Sequence, residues 1–159
     1  MPRVYIETTI PSFLTARPSQ DVVIAGKQIT TRLWWERRAP KFELFVSPFV
    51  LEEAALGDVE AAQRRLGALT PLRVLGVDAE VRRIARRLVS AGAIPQRAAT
   101  DASHLAVATR HGMDFLLTWN CTHLANAQVL PRLQAVLREL GFEPPVVCTP
   151  DELMEENDE

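Results

Sequence analysis

Short apolar runs alternate with longer segments whose apolar residues recur at helical spacing, and this alternation constrains the fold more than any other feature. Five runs have the length and residue types of strands, namely 3–6, 42–47, 72–77, 114–118 and 144–148. Six segments are predicted to be helices, namely 21–37, 49–56, 58–69, 78–90, 100–111 and 129–140. Strands separated by helices favour right-handed parallel crossovers. The sequence therefore predicts an α/β fold, a three-layer α/β/α sandwich with a central, mostly parallel five-stranded sheet.

Two of the predicted helices carry further signals. In segment 21–37 the residues Val22, Ala25, Ile29 and Leu33 recur at helical spacing, and Asp21 is a candidate N-terminal cap. Segment 100–111 is apolar nearly all round, so we expect it to be the most buried helix. We expect Thr100 to cap its start.

The length of the chain predicts a single domain, and its charges are unevenly distributed along the sequence. The 159 residues suffice for one domain with a substantial core, which we assign to residues 1–150. Six of the 20 acidic residues lie in the segment 151–159, which is too acidic to bury. The first 150 residues therefore carry 18 basic and 14 acidic side chains, a charge that is compatible with a polyanionic partner.

The apolar runs and the cysteines argue against a membrane-spanning, secreted, disulfide-rich or zinc-binding protein. No apolar run approaches the roughly 20 residues of a membrane span, and the residues that follow Met1 do not form the apolar core of a signal peptide. We therefore expect a cytoplasmic protein with no membrane association. Cys121 and Cys148 form neither a disulfide framework nor a zinc motif, so we expect both to be reduced.

Polar residues follow the predicted strands at the points where the strands end. Glu7 comes directly after the first strand, Asn120 follows the fourth, and Asp101 lies at the start of a buried helix. A helix after the second strand adds Glu52 or Glu53. Ligands of open α/β sheets bind at the carboxyl ends of the strands, so we expect three acids and an amide to meet there. Clustered acids repel one another unless a cation neutralises them, which predicts a metal site or raised pKa values.

At these residues the chain resembles the PIN-domain family of metal-dependent nucleases, particularly the small toxin ribonucleases of bacterial toxin–antitoxin pairs. The resemblance covers nearly the whole chain and rests on four motifs in order. The motifs are YIETTI around Glu7, VSPFVLEEAALG with Ser47, Glu53 and Gly57, TDASHLAVA with Asp101, and the pair Thr118 and Asn120 after the fourth strand. The second motif selects Glu53 over Glu52. Glu7 and Asn120 both stand where the family commonly has Asp.

The resemblance implies a metal-dependent endoribonuclease. It assigns catalysis to Glu7, Glu53, Asp101 and Asn120, with the three acids holding Mg²⁺ or Mn²⁺. It further implies RNA as substrate, an antitoxin protein as partner and a homodimer. Thr9, Trp119 and His123 are candidate substrate contacts beside these residues.

Several of these residues also have ordinary structural interpretations. Asp101 could serve only the helix dipole, and Asn120 could be a turn residue. Trp119 could stack on a base or pack at the rim of the site. His104 lies one helical turn after Asp101, where a lone histidine is more often a hydrogen-bonded structural residue than a base.

Other functional classes compete with the nuclease hypothesis. The alternative closest to it is a catalytically weak or inactive PIN-like module that binds RNA or a protein. A phospho-acceptor receiver domain needs a lysine near the last strand, and the only lysines are Lys27 and Lys41. Nucleotide binding is disfavoured because neither the dinucleotide-binding glycine motif nor the P-loop motif occurs.

Overall fold

The computed structural model describes residues 1–155 and contains a five-stranded parallel sheet. The strands are β1 (Arg3–Ile6), β2 (Glu43–Val46), β3 (Arg73–Val74), β4 (Phe115–Leu117) and β5 (Val146–Cys148). Their order across the sheet is β3-β2-β1-β4-β5. The central strand pairs with β2 on one side and β4 on the other, with Val4 opposite Leu44 and Phe115. The predicted α/β fold with a parallel five-stranded sheet is confirmed.

Seven α-helices cover the sheet within the described residues. They are α1 (Thr9–Thr15), α2 (Val22–Arg37), α3 (Pro48–Ala54), α4 (Val59–Leu69), α5 (Ala79–Ser90), α6 (Ala99–Arg110) and α7 (Leu130–Glu139). Helix α5 packs against α6 and α7, and α6 also contacts α3. Helix α2 instead packs against α1 and against the short 3₁₀ segments Ala39–Lys41 and Pro150–Leu153. None of the helices in residues 1–155 has the length and apolar content needed to cross a membrane.

The sequence predicted most elements but missed one helix and a cap. Helix α1 was not predicted; Pro11 lies in its first turn, where proline is tolerated. The predicted cap at Thr100 is wrong. Helix α6 begins at Ala99, continuing directly from the 3₁₀ turn Gln96–Ala98, and no side chain caps it. The prediction that this helix is deeply buried is confirmed, since Ala102 and the six residues 104–109 are at most 2% exposed.

Helix α2 was predicted correctly in extent, but its apolar stripe is not its buried face. Asp21 caps it as expected, accepting the Ile24 amide at 3.0 Å. The buried residues are Gln28, Thr31 and Trp34, whereas Val22 is 85% exposed and Ile29 is 55% exposed. Apolar spacing therefore located the helix but pointed to the wrong face.

The buried polar residues of α2 are satisfied by hydrogen bonds. The Gln28 side-chain amide donates to the Arg17 carbonyl at 3.0 Å, and its oxygen accepts the Ser19 amide at 3.0 Å. The Thr31 hydroxyl donates to the Lys27 carbonyl at 2.6 Å. The two Gln28 bonds fasten the segment between α1 and α2 to the helix, and together with the Thr31 bond they explain how polar side chains can occupy an inward face.

The start of the predicted acidic tail lies against the domain. Pro150–Leu153 forms a 3₁₀ segment with a capping box between Thr149 and Glu152, and Glu155 pairs with Arg38 at 2.6 Å. Glu156, Asp158 and Glu159 of that tail lie outside the described residues.

Substitutions at buried and at exposed positions of α2 are predicted to have unequal effects on the free energy of unfolding. Gln28→Ala leaves the Ser19 amide and the Arg17 carbonyl without their partner, so we expect a loss of about 1 kcal/mol in the free energy of unfolding. Val23→Ala, which lies on the same helix outside the stripe of Val22 and Ile29 and is 66% exposed, is expected to change it by less than about 0.5 kcal/mol. Urea denaturation of both variants measures the difference. An equal loss in the two variants would contradict the assignment of faces.

Candidate active site

Glu7 follows the central strand directly and is buried, with 4% of its surface exposed. One of its carboxylate oxygens, Oε1, accepts the Thr9 amide at 3.1 Å, the Thr9 hydroxyl at 2.5 Å and the Thr118 hydroxyl at 2.7 Å. A buried carboxylate is costly unless hydrogen bonds compensate the lost hydration. Three donors converging on one oxygen supply that compensation and fix the direction of the side chain.

The same residues join the ends of two neighbouring strands. The Glu7 amide donates to the Leu117 carbonyl at 3.1 Å, extending the pairing of β1 with β4 by one residue. The Thr9 hydroxyl, while donating to Glu7, accepts the Trp119 amide at 2.8 Å. The loop that carries Trp119 and Asn120 is therefore anchored at its start to the residues that follow β1.

Glu53 enters the site from α3, with 35% of its side chain exposed. Its Oε1 accepts the Thr8 hydroxyl at 2.7 Å and is bonded to Nε2 of His104. Partial burial raises the pKa of Glu53, but the hydrogen bond and charge of His104 and the hydrogen bond from Thr8 outweigh it, so the pKa is lowered. Glu53 is therefore held in the ionised form that a metal ion requires.

His104 is completely buried on α6 and is bonded at both ring nitrogens. Its Nδ1 lies 2.7 Å from the Tyr5 hydroxyl, which lies 2.7 Å from the Ser47 hydroxyl. Burial raises the pKa of Tyr5 far above its usual value, so this phenol stays protonated. A continuous chain of hydrogen bonds thus runs from Ser47 through Tyr5 and His104 to Glu53.

Glu7, Glu53 and His104 form a compact set of metal-binding groups. Each offers one ligand atom, and these atoms lie within 4.8 Å of one another. Two carboxylates and an imidazole are suitable donors for a divalent cation. The residues present therefore fit the metal ion that the sequence predicts.

Asp101 lies outside this compact set. Its Oδ2 is 3.0 Å from Nδ1 of His123, and both side chains are about one-fifth exposed. No group of three metal-binding side chains in residues 1–155 includes Asp101 at the spacing of the Glu7 set. Asp101 is therefore paired with a histidine from the loop after β4.

Asn120 shapes that loop. Its side-chain oxygen accepts the Thr122 amide at 3.2 Å and the His123 amide at 3.0 Å, and its own amide donates to the Thr118 hydroxyl at 2.9 Å. Such bonds are typical of asparagine in turns. By holding the His123 backbone, Asn120 helps to place the imidazole beside Asp101.

Trp119 is held at the rim of the site by packing and by a hydrogen bond. Its indole nitrogen donates to the Thr31 hydroxyl at 2.8 Å, and its ring meets Phe13 edge-on with centroids 6.1 Å apart. The Lys27 ammonium lies 5.4 Å from the centre of the ring. The indole therefore closes the junction between α1 and α2 and brings a cation to the rim.

Sequence reasoning missed several members of this arrangement. His104 was noted one turn after Asp101 but was treated as structural, and Tyr5 and Thr8 were not considered as parts of the site. A signal was present, because a histidine in an otherwise apolar helix must find buried partners. Its partners could not be read from the sequence, since Tyr5, Glu53 and His104 lie on three separate elements.

The chain matches one family of known proteins. The family model of the PIN domain matches residues 25–120, more than half of the chain, and includes Glu53, Asp101 and Asn120 but not Glu7. None of the curated protein sequences matches the chain.

Solved structures share the fold at low sequence identity. The crystal structure of VapBC2 from Rickettsia felis, bound to a DNA fragment from their promoter, matches with a TM-score of 0.59 at 15% identity. The match covers 92% of this chain and 98% of that one. VapC20 from Mycobacterium tuberculosis, a sarcin-ricin loop cleaving toxin, matches with a TM-score of 0.59 at 18% identity, covering 76% of this chain and 92% of that one. With this fold and the family match over more than half of its length, the chain belongs to the PIN domain family.

Proposed function

We propose that this protein is a metal-dependent endoribonuclease that hydrolyses RNA phosphodiester bonds with Mg²⁺ or Mn²⁺, and that it is the toxin of a toxin–antitoxin pair in the cytoplasm. The observation that carries the proposal is the convergence of Glu7, Glu53 and His104 at the carboxyl edge of a PIN-domain sheet. A neighbour in fold, VapC20, is described as a toxin that cleaves the sarcin-ricin loop. The excess of basic residues before position 151 favours a polyanionic substrate.

Each residue of the site has a part in this proposal. Glu7 and Glu53 hold the metal ion, and the hydroxyls of Thr8, Thr9 and Thr118 fix the two carboxylates before the metal binds. A bound divalent cation would activate water and stabilise negative charge on the phosphate. Asp101 supplies a third acid, and its partner His123 orients it.

The substrate lies across the loop after β4 in this proposal. Asn120 keeps that loop in shape, so its role in catalysis is to place other groups. His123, Trp119 and Thr9 lie along the same loop and the start of α1, where an RNA strand would contact them. Lys27 adds a positive charge at the rim, which favours the phosphate backbone.

Neighbouring glutamates on α3 test the role of Glu53. We expect Glu53→Gln to lower the rate of RNA cleavage by at least about 100-fold, because the neutral amide loses the charge that binds the metal. Glu52→Gln is the matched control, since Glu52 is exposed on the same helix, and it should keep the wild-type rate. Cleavage of cellular RNA with Mg²⁺ or Mn²⁺ is followed on gels. Equal activity of the two variants would refute the assignment of Glu53.

The third acid is tested in the same cleavage assay. Asp101→Asn should abolish cleavage of RNA, and full activity of that variant would remove Asp101 from the site.

A second candidate function is a PIN-like module that binds RNA or a protein without efficient catalysis. Two observations favour it. Asn120, which replaces a common acid, uses its side-chain oxygen within the loop, and Asp101 stands apart from the compact set. The site would then hold two carboxylates where the nuclease hypothesis needs three.

Calorimetric titration with Mn²⁺ separates the two functions. For the nuclease we expect saturable binding at one site that is lost in Glu53→Gln and retained in Glu52→Gln. Retained RNA binding by a protein that takes up no Mn²⁺ would favour the binding module. The physical reason is that a site built for catalysis must bind its metal before it can activate water.

Protein partners are part of the proposal, and the exposed stripe of α2 supports them. Val22 and Ile29 lie on the same side of the helix and are largely exposed, together with the partly exposed Ala25 and Leu33. Apolar side chains grouped on one helical face favour contact with another protein. We assign this face to a homodimer interface, and we propose an antitoxin as a further partner.

The homodimer can be tested by light scattering. We expect the wild-type protein to have twice the chain mass of 17.7 kDa. Ile29→Asp should shift the mass to that of one chain, because a charge on the buried interface loses its hydration. Val59→Asp is the control, since Val59 is as exposed but lies on α4. A wild-type protein with the mass of one chain would refute the dimer.

A further inference from the structure

We propose that His104 binds the metal ion directly through Nε2, and that this nitrogen makes the site prefer a first-row transition metal such as Mn²⁺ over Mg²⁺. The inference rests on the proposed metal-dependent function and deepens it. His104 is not among the four residues that the sequence motifs assign to catalysis, which are Glu7, Glu53, Asp101 and Asn120.

The position of the imidazole is the first argument. His104 is completely buried, yet its Nε2 faces the site and lies within 4.8 Å of ligand atoms of both Glu7 and Glu53. A buried imidazole with no function needs hydrogen-bond partners, and uncharged groups would serve for that. Here Nε2 faces two carboxylates, one of them Glu7, which is itself buried. Nε2 is hydrogen-bonded to Oε1 of Glu53, and a bound ion would take the place of the proton that these two atoms share.

The second ring nitrogen supplies an independent argument. Metal-binding histidines almost always have a hydrogen-bond partner on the nitrogen that does not bind the metal, which fixes the ring and its tautomer. Nδ1 of His104 has such a partner in the Tyr5 hydroxyl, which is bonded in turn to the Ser47 hydroxyl. If Nδ1–H donates to Tyr5 and Tyr5 donates to Ser47, both of these donors have an acceptor and Nε2 keeps a lone pair for the metal. Both partners are buried, so water does not compete for these bonds.

The choice of metal follows from the donor atoms. Mg²⁺ strongly prefers oxygen ligands and keeps much of its water, whereas transition-metal ions accept imidazole readily. Mn²⁺ accepts carboxylates as well as imidazole, which suits a set of two carboxylates and one nitrogen. A site that exchanges one carboxylate for an imidazole also carries one negative charge fewer, which weakens its attraction for Mg²⁺.

Pulsed electron paramagnetic resonance of the full chain loaded with Mn²⁺ tests the coordination. A directly bound imidazole gives electron spin echo modulation from ¹⁴N, and we expect this modulation in the wild-type protein. Incorporation of ¹⁵N-histidine should change it, a control that requires no substitution and so cannot fail through misfolding. A spectrum with oxygen ligands alone would overturn the proposal and leave His104 as a hydrogen-bond donor to Glu53.

The three histidines of the chain allow the signal to be assigned. His104→Gln should abolish the nitrogen modulation, because a glutamine amide can still donate to Glu53 but does not replace imidazole as a ligand. His123→Gln should retain it, although His123 lies beside Asp101. His111, which is bonded to the Gly76 carbonyl, serves as a second control. Loss of the modulation in His123→Gln in place of His104→Gln would also overturn the proposal.

Binding affinities test the metal preference. We expect the wild-type protein to bind Mn²⁺ at least about tenfold more tightly than Mg²⁺ by competitive titration, and His104→Gln to reduce that ratio. An unchanged ratio in a folded His104→Gln protein, verified by a cooperative thermal transition, would refute the role of the imidazole.

The inference and the proposed function can fail separately. RNA cleavage together with an oxygen-only Mn²⁺ spectrum would leave the nuclease standing and refute His104 as a ligand. Nitrogen coordination without cleavage of RNA would support His104 as a ligand and refute the nuclease.

Discussion

Burial of the Glu7 carboxylate at the end of the central strand is the constraint on which the site depends. A carboxylate taken out of water requires donors, and the chain supplies them from both sides of the strand end, from Thr9 in α1 and from Thr118 after β4. Without these hydroxyls the buried carboxylate oxygen would lack most of its hydrogen-bond donors. The position of the first acid and the pairing of β1 with β4 are therefore parts of one structure.

The three residues that follow β1 connect the site to α3 and to the loop after β4. Glu7 bonds to Thr118, Thr8 bonds to Glu53 on α3, and Thr9 accepts the Trp119 amide. A helix begins at Thr9, so the backbone of these residues is ordered by the same turn that carries the hydroxyls. Substitution of any one of the three therefore affects an element that is distant in sequence.

The sequence predicted the parts of the molecule that depend on local signals. Strand ends and the Asp21 cap follow from residue types at neighbouring positions. Glu7 and Glu53 were predicted at the same edge of the sheet because parallel strands end together, and their carboxylates do meet there. The buried face of α2 was not predictable in this way, because Gln28 and Thr31 are buried through bonds to other segments. The local pattern of apolar residues therefore does not reveal which face of a helix packs against the rest of the chain.

His104 escaped prediction for a related reason, and it changes the electrostatics of the site. Sequence motifs predicted a site of three acids and an amide, in which a cation or raised pKa values would relieve the mutual repulsion of the acids. The structure instead places an imidazole between the acids and a buried phenol, and this imidazole lowers the pKa of Glu53 without any metal. Contacts within the chain therefore favour the ionised form of Glu53 beside the buried Glu7. Hydrogen bonds with Thr8, Thr118 and His104 thus hold the two acidic side chains in position within the chain itself.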